Sequence, residues 1–296
     1  MKKTLCAVLC VLVLSLGFSG CADTQSAQIA ATTLPVYEFT ARLCQGTPLE
    51  VARLVTEEVS CLHDYSLNVR QVKAAEAAET IVISGAGLED FLEGILTEGK
   101  LIDASQGIEL LCPREGHGHD HDHDHDHGHS HETDPHIWLS PQNAMDMARN
   151  ICDGLCQRYP QYGDTFRTNL EPLLRELEAL QGYGERELAG LSCRELITFH
   201  DGFAYFAGAF DLTILEAIEE ESGSEASAKE LIRLIEETEH HGLPAVFTEL
   251  NGSPSAAQVI SRETGAQIFP LDMAMAGESY FEAMYHNIDT VKEALG

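Results

Sequence analysis

Short apolar runs, each followed by a helix-forming stretch, recur in two series along the chain, and one long amphipathic segment separates the series. In the first series Gln28–Leu34 reads as a strand, and Pro35 opens a short helical stretch. Glu50–Val55 is a second strand, and Leu67–Ala78 is helical by its Ala, Glu and Lys content. Thr80–Ser84 (TIVIS) is the kind of run that parallel sheets bury on both faces. Gly85 and Gly87 follow it, then a helix over Leu88–Leu96 and a strand over Leu101–Ala104. Ser140 and Pro141 form a helix start, with serine as cap and proline in the first turn, for a helix to about Tyr159. Tyr162–Leu188 then carries Phe166, Leu170, Leu173, Leu174, Leu177 and Leu180 at helical spacing.

The second series repeats the scheme. Strands are expected at Glu195–Phe199, Leu212–Ile218, Ala245–Thr248 and Gln267–Leu271, and helices at Asp201–Phe210, Ala226–His240, Pro254–Thr264 and Ser279–Leu295. Such alternation implies an α/β protein of two Rossmann-like lobes with parallel sheets, bridged by one long helix. The expected division is an N-terminal lobe over 28–159, a linker helix over 160–189 and a C-terminal lobe over 190–296. A length of 296 residues fits two domains, and 44% hydrophobic residues suffice for buried cores. With 48 acidic and 18 basic residues the net charge is -30. That surface repels phosphate backbones and anionic headgroups, so nucleic acid and membrane surfaces are poor partners, whereas cations are drawn in.

The N-terminus reads as an export signal over 1–20: Met1-Lys2-Lys3, an apolar run from Leu5 to Leu16, then Gly17-Phe18-Ser19-Gly20-Cys21. The apolar run is shorter than the roughly 20 residues of a membrane-spanning helix. Small residues before Cys21 resemble a bacterial lipoprotein processing site, with Cys21 lipidated and 21–27 as tether, Phe18 standing where leucine is usual. The expected location is therefore extracytoplasmic, anchored to the membrane only by lipid. Cys44, Cys61, Cys112, Cys152, Cys156 and Cys193 remain in the mature chain; none has zinc-finger spacing, and six cysteines permit fifteen pairings, so no disulfide is assigned.

In parallel α/β sheets ligands sit beyond the carboxyl ends of strands. Four metal-type donors fall there: His63 after the second strand, His136 ahead of the Ser140 helix, His200 directly after Thr198-Phe199, and Asp272 directly after Leu271. Two come from each lobe, so a closed cleft brings three imidazoles and a carboxylate around one ion, a set suited to tetrahedral zinc. Each residue also has a plain role, as a loop residue or helix cap. Eight of the fourteen histidines lie in one tract: His117, His119, His121, His123, His125, His127, His129 and His131. With its glycines and aspartates it builds no packed core, and reads as a secondary metal-binding loop (116–132) over the cleft entrance. His240, His241 and His286 are assigned to the surface.

Several segments together resemble the cluster A-I substrate-binding proteins of bacterial ABC transporters, which take up zinc or manganese. They are the surroundings of His63 and Tyr65, the stretch AEAAETIVISGAGLEDFL (75–92), DPHIWLSP (134–141), TFHDGFAYF (198–206), VFTE (246–249) and ETGA (263–266) leading to Leu271-Asp272. The resemblance implies two lobes bridged by a rigid helix with metal in the cleft, ligands at His63, His136, His200 and Asp272, and a permease with its ATPase as partners of a monomer. Histidine at the third position favours Zn2+ over Mn2+, which prefers oxygen-rich sites. Leu62, Ser66-Leu67 and Met273 stand where the family usually has proline, Glu-Pro and proline. Glu249 matches a position that is not a ligand in the family and is expected to support the site.

The reading is a zinc-capturing lipoprotein that feeds an ABC permease and is not an enzyme. No Walker A, no G-x-S-x-G and no dinucleotide fingerprint is present, Gly85-Ala86-Gly87 being too short. The alternatives are a manganese-binding member of the same family, a zinc metallohydrolase using three histidines and a water, and a metal-storing or adhesin-like surface lipoprotein with a part in cell adhesion.

Overall fold

The computed structural model describes residues 27–57, 62, 65–95, 98–112, 133–219 and 226–296. The export signal, Cys21, Cys61, His63 and the histidine tract lie outside the described residues. Strands β1 (Ile29–Ala31), β2 (Val51–Arg53), β3 (Thr80–Ile83) and β4 (Leu101–Asp103) form one four-stranded sheet in the order β2-β1-β3-β4. Strands β5 (Glu195–His200), β6 (Thr213–Glu219), β7 (Ala245–Glu249) and β8 (Gln267–Leu271) form a second in the order β6-β5-β7-β8. All pairings are parallel. The two sheets thus repeat one topology. In each, the chain changes direction of winding between the first and third strands, which leaves a crevice beyond β1/β3 in one sheet and beyond β5/β7 in the other.

Helices α1 (Leu34–Leu43), α2 (Val69–Ala77), α3 (Pro141–Arg158), α5 (Ala204–Ala209), α6 (Ala228–His241), α7 (Ser255–Thr264) and α8 (Tyr280–Leu295) flank the sheets. Their starts follow local chemistry. Asn68 and Ser227 form capping boxes with Gln71 and Glu230, and the Ser140 hydroxyl accepts from Asn143 N ahead of Pro141. Helix α4 (Gly163–Glu187) runs 25 residues, about 38 Å. It buries Phe166, Leu173, Leu177 and Leu180 on one face. Pro172 lies inside it without ending it; Pro172 and Thr168 are both exposed, so the carbonyl that loses its donor faces water.

Two expected elements differ. The Leu88–Leu96 segment is only a 3-10 turn over Asp90–Leu92. Gly85, Ala86 and Gly87 all have positive φ, and they turn Glu89 inward, where its carboxylate accepts from Thr32 Oγ1, Ser84 N and Gly85 N. The residue that would have opened the helix is thereby tied to the sheet edge. The Asp201–Phe210 helix shrinks to Ala204–Ala209, because His200 still belongs to β5 and the next residues turn the corner.

The lobes are not loosely hinged. One hydrophobic core runs without a break from Ile29 through Leu177 to Leu295. Helix α4 joins the N-terminal lobe through Arg42–Glu176 (2.5 Å) and the Asn169 amide to Leu43 O and Gln45 O. It joins the other through Tyr183–Asp289 (2.6 Å) and by packing Gly184 against Phe210, whose ring occupies the space a Cβ would need. Across the interface, Trp138 Nε1 donates to Met273 O (2.8 Å), Tyr280 Oη to Trp138 O (2.8 Å) and Arg53 to Gly277 O (2.8 Å). Trp138 and Tyr280 are fully buried. Ridges packed this densely resist the wide opening of a flexible two-domain binder.

Candidate metal centre

His136 follows a short turn built by its own neighbours. Asp134 Oδ1 accepts from His136 N (2.9 Å) and faces His136 Nδ1 at 2.7 Å, while Pro135 stiffens the turn between them. A carboxylate only accepts, so the ring proton belongs on Nδ1 and the lone pair of Nε2 points away from Asp134. Asp134 is itself fixed: its N donates to Leu111 O, and its carbonyl accepts from the Tyr205 hydroxyl of the opposite lobe (3.0 Å).

His200 occupies the last position of β5, and Glu249 the last position of the adjacent β7. Both residues therefore stand at the switch point of the second sheet. Glu249 Oε1 and His200 Nδ1 face each other at 3.7 Å, beyond hydrogen-bond length. The other nitrogen of His200 meets the other lobe, with His200 Nε2 standing 3.3 Å from His136 Nε2 and the rings edge to face. Both imidazoles are almost wholly buried, at 1% and 2% exposure.

That separation has a chemical meaning. Two nitrogens bound to one tetrahedral zinc at about 2.0–2.1 Å stand about 3.3 Å apart. The pair already has the spacing of two ligands of a single ion. Gly202 makes this approach possible: a Cβ there would lie 2.7 Å from His200 Cδ2, 2.7 Å from Met273 Cε and 3.1 Å from His136 Nδ1.

Asp272 follows β8 next to Met273. Its backbone is clamped by the buried Asn287, which accepts from Asp272 N and donates to Asp272 O, both at 2.7 Å. Its Oδ1 accepts from Ala274 N (2.8 Å). Burial raises the Asp272 carboxyl above the usual range, opposed by the Ala274 hydrogen bond and the His286 charge. Among the described residues, Asp272 does not join both imidazoles within 4.8 Å. The structure thus brings together two of the four expected donors, leaves the third, Asp272, outside that pair, and does not describe His63. The residues flanking His63 are anchored. Leu62 is buried, and the Tyr65 hydroxyl donates to Glu57 (2.7 Å) while its ring packs edge-on against Phe91.

Asp134 and Gly202 were not singled out from the sequence. An aspartate two residues before a candidate ligand, and a glycine two residues after another, are the signals that point to them. Cys44, Cys112, Cys152, Cys156 and Cys193 are free thiols, and burial pushes Cys44 and Cys152 up to about 12, which keeps them protonated and poor ligands.

Two parallel α/β lobes locked by one long helix, with imidazoles from each meeting between them, define a two-lobed solute-binding protein. Residues 29–294 match the family described as ZnuA, zinc-uptake complex component A, periplasmic, and the chain belongs to that family. It is the extracytoplasmic zinc-binding component of a zinc-uptake transporter and has a permease as partner. A metal-binding protein of Treponema pallidum (strain Nichols) is 30% identical over 279 residues, 92% of this chain and 88% of the relative. The zinc-binding lipoprotein AdcA of Streptococcus pneumoniae is 30% identical over 99% of this chain, which spans only 61% of that relative's length. Among solved structures, ZnuA superposes with a TM-score of 0.77 at 30% identity, covering 91% of this chain and 100% of the other. The Zn(II)-bound ZnuA-like domain of S. pneumoniae AdcA gives 0.75 at 25% identity, covering 91% and 99%. No helix among the described residues is long and apolar enough to cross a membrane.

Proposed function

We propose that His63, His136, His200 and Asp272 are the ligands through which this protein captures Zn2+ for uptake. The observation that carries the reading is the 3.3 Å approach of the His136 and His200 Nε2 atoms, one from each lobe. With Asp134 holding the proton of His136 on Nδ1, two lone pairs converge on one point unless His200 turns its own proton inward. A cation relieves that opposition, and the His200 proton then resides on Nδ1, where Glu249 faces it. Asp272 approaches from the β8 end, and its charge, costly where it is half-buried, is offset by the ion. The welded interface limits capture to a small local closure. Release therefore falls to docking, in which the permease, driven by its ATPase, distorts the ligand set. The protein works as a monomer tethered through lipid on Cys21, and the eight histidines of the 117–131 tract gather zinc weakly at the entrance.

The test is elemental analysis of the purified mature protein with zinc and manganese in competition, for the native chain, His136→Ala, His200→Ala and a deletion of 116–132. One tightly held zinc and a weaker population are expected, with zinc preferred. Each alanine variant loses the tight ion, and the deletion loses only the weak population. Unchanged affinity in both alanine variants overturns the ligand set. Loss of the tight ion in the deletion overturns the gathering role of the tract.

A further inference from the structure

A second cluster of metal-type donors lies on the opposite side of the C-terminal lobe from the cleft. The last turn of α6 carries Glu237, His240 and His241, one ligating atom from each lying within 4.8 Å of the others. The spacing i, i+3, i+4 puts all three on one face of the helix. Glu195, the first residue of β5, approaches the same face: His241 Nδ1 stands 2.9 Å from Glu195 Oε2, and His241 Nε2 stands 3.4 Å from Glu237 Oε2. The His240 and His241 rings meet edge to face at 4.9 Å. Strand β5 has His200 at its other end, five residues on, so about 16 Å separates this cluster from the cleft.

We infer that Glu237, His240 and His241 form a peripheral divalent-cation site for zinc, with Glu195 as the group that orients it. A histidine that binds metal through one nitrogen donates its other N–H to a carboxylate, which fixes the tautomer and ring direction. Glu195 stands where that carboxylate must be. With its proton on Nδ1, His241 presents Nε2 towards Glu237 and His240. Two imidazoles and one carboxylate suit zinc better than calcium or magnesium, which take oxygen ligands. The place suits a cation too. His240 and His241 are the last residues of α6 before Gly242 caps it in the left-handed conformation, so the ion sits at the negative end of the helix dipole. Glu237 and His240 are exposed enough to close the remaining distance by rotamer change, while His241, at 26% exposure and held by Glu195, acts as the fixed point. The site shares no residue with the cleft, so it stands or falls independently of the ligand set proposed there.

The experiment follows the imidazole resonances of His240 and His241 by NMR in the full mature chain, during titration with Zn2+ beyond the first equivalent. Spectra of His240→Ala and His241→Ala assign the signals, so binding at the histidine tract does not interfere. The expected result is a saturable shift of both rings that His241→Ala abolishes. Glu195→Gln and Glu237→Gln each weaken the binding about tenfold. The site is overturned if both rings keep their positions at a large excess of Zn2+. It is equally overturned if both glutamine variants titrate like the native chain, since the shift then reports only cations gathered by an acidic surface.

Discussion

The two sheets have one topology and opposite fates at their switch points. Beyond β1 and β3, the N-terminal crevice is closed by its own side chains. Thr33 and Ser84 hydroxyls meet at 2.9 Å, and Glu89 takes hydrogen bonds from Thr32, Ser84 and Gly85. Beyond β5 and β7, His200 and Glu249 stand 3.7 Å apart, and His200 directs its other nitrogen at the opposite lobe. One crevice ties its polar groups to its own backbone and hydroxyls, and the other sets an imidazole and a carboxylate side by side, with the imidazole facing a second imidazole across the interface. Position in the fold nominates both crevices alike, and only the side chains each one carries distinguish them. The imidazole that the N-terminal lobe brings to the interface comes from elsewhere, from the turn that carries His136.

The largest effect should come from exchanging the roles of these crevices. His200→Ala removes an ion-facing nitrogen and is expected to lower zinc affinity at least about 100-fold, since loss of a group that only supports a ligand already costs 10–100-fold. The metal-free stability of that variant should change little. Glu89→Ala leaves three buried donors without an acceptor, which costs about 2–4 kcal/mol of stability, while zinc affinity stays within about threefold. Calorimetric zinc binding and thermal unfolding of the two variants check this crossed pattern. A comparable loss of zinc in Glu89→Ala would show that the N-terminal crevice takes part in binding after all.

Much of this contrast was legible in the sequence, and its failures have physical causes. Periodicity sufficed for the strands and for α4, because a parallel strand buried on both faces and a helix with a leucine stripe carry patterns set by their own burial. Gln267–Leu271 needed no adjustment of its bounds, and Tyr162–Leu188 differed by one residue at each end. The Leu88–Leu96 helix failed because Glu89, polar in any pattern, is held inside by partners from two other segments, one of them 57 residues earlier. The positions after strands nominated His136, His200 and Asp272, yet the pairing of the first two depends on Gly202 having no side chain. Nothing in a one-dimensional pattern reports that a glycine is empty for the sake of residues from two lobes. The approaches of Asp134 to His136 and of Glu249 to His200 are likewise matters of distance, 2.7 Å against 3.7 Å, that spacing along the chain does not encode.

That difference in distance sharpens the comparison within the site itself. Asp134 already touches His136 Nδ1, so Asp134→Asn, which exchanges a charged acceptor for an amide able to present either atom, should lower zinc affinity about 10-fold or more. Glu249 is 3.7 Å from His200 and engages it only if the ring proton settles on Nδ1 when the ion arrives. Glu249→Gln should therefore cost several-fold less than Asp134→Asn. Titrations of the two variants against a common chelator rank them. A larger loss in Glu249→Gln would mean that the second carboxylate, and not the first, does more to set ligand direction.

A last expected effect concerns pH and separates the crevices once more. Burial pushes Glu89 up to about 7, against the lowering influence of its Thr32, Ser84 and Gly85 hydrogen bonds. A carboxyl raised in the fold above its unfolded value of 4.5 holds its proton more tightly when folded. Its contribution to stability is complete below pH 4.5, declines as pH climbs towards about 7, and is constant above that. Glu89→Gln does not titrate. The melting temperature of the zinc-free native protein minus that of Glu89→Gln should therefore be highest near pH 4 and fall to a plateau above pH 7, a change of about 3 kcal/mol in all. A difference that instead grows with pH would mean that the three donors outweigh burial and that the fold prefers the carboxylate. The N-terminal crevice would then hold a fixed negative charge closed in by its own donors.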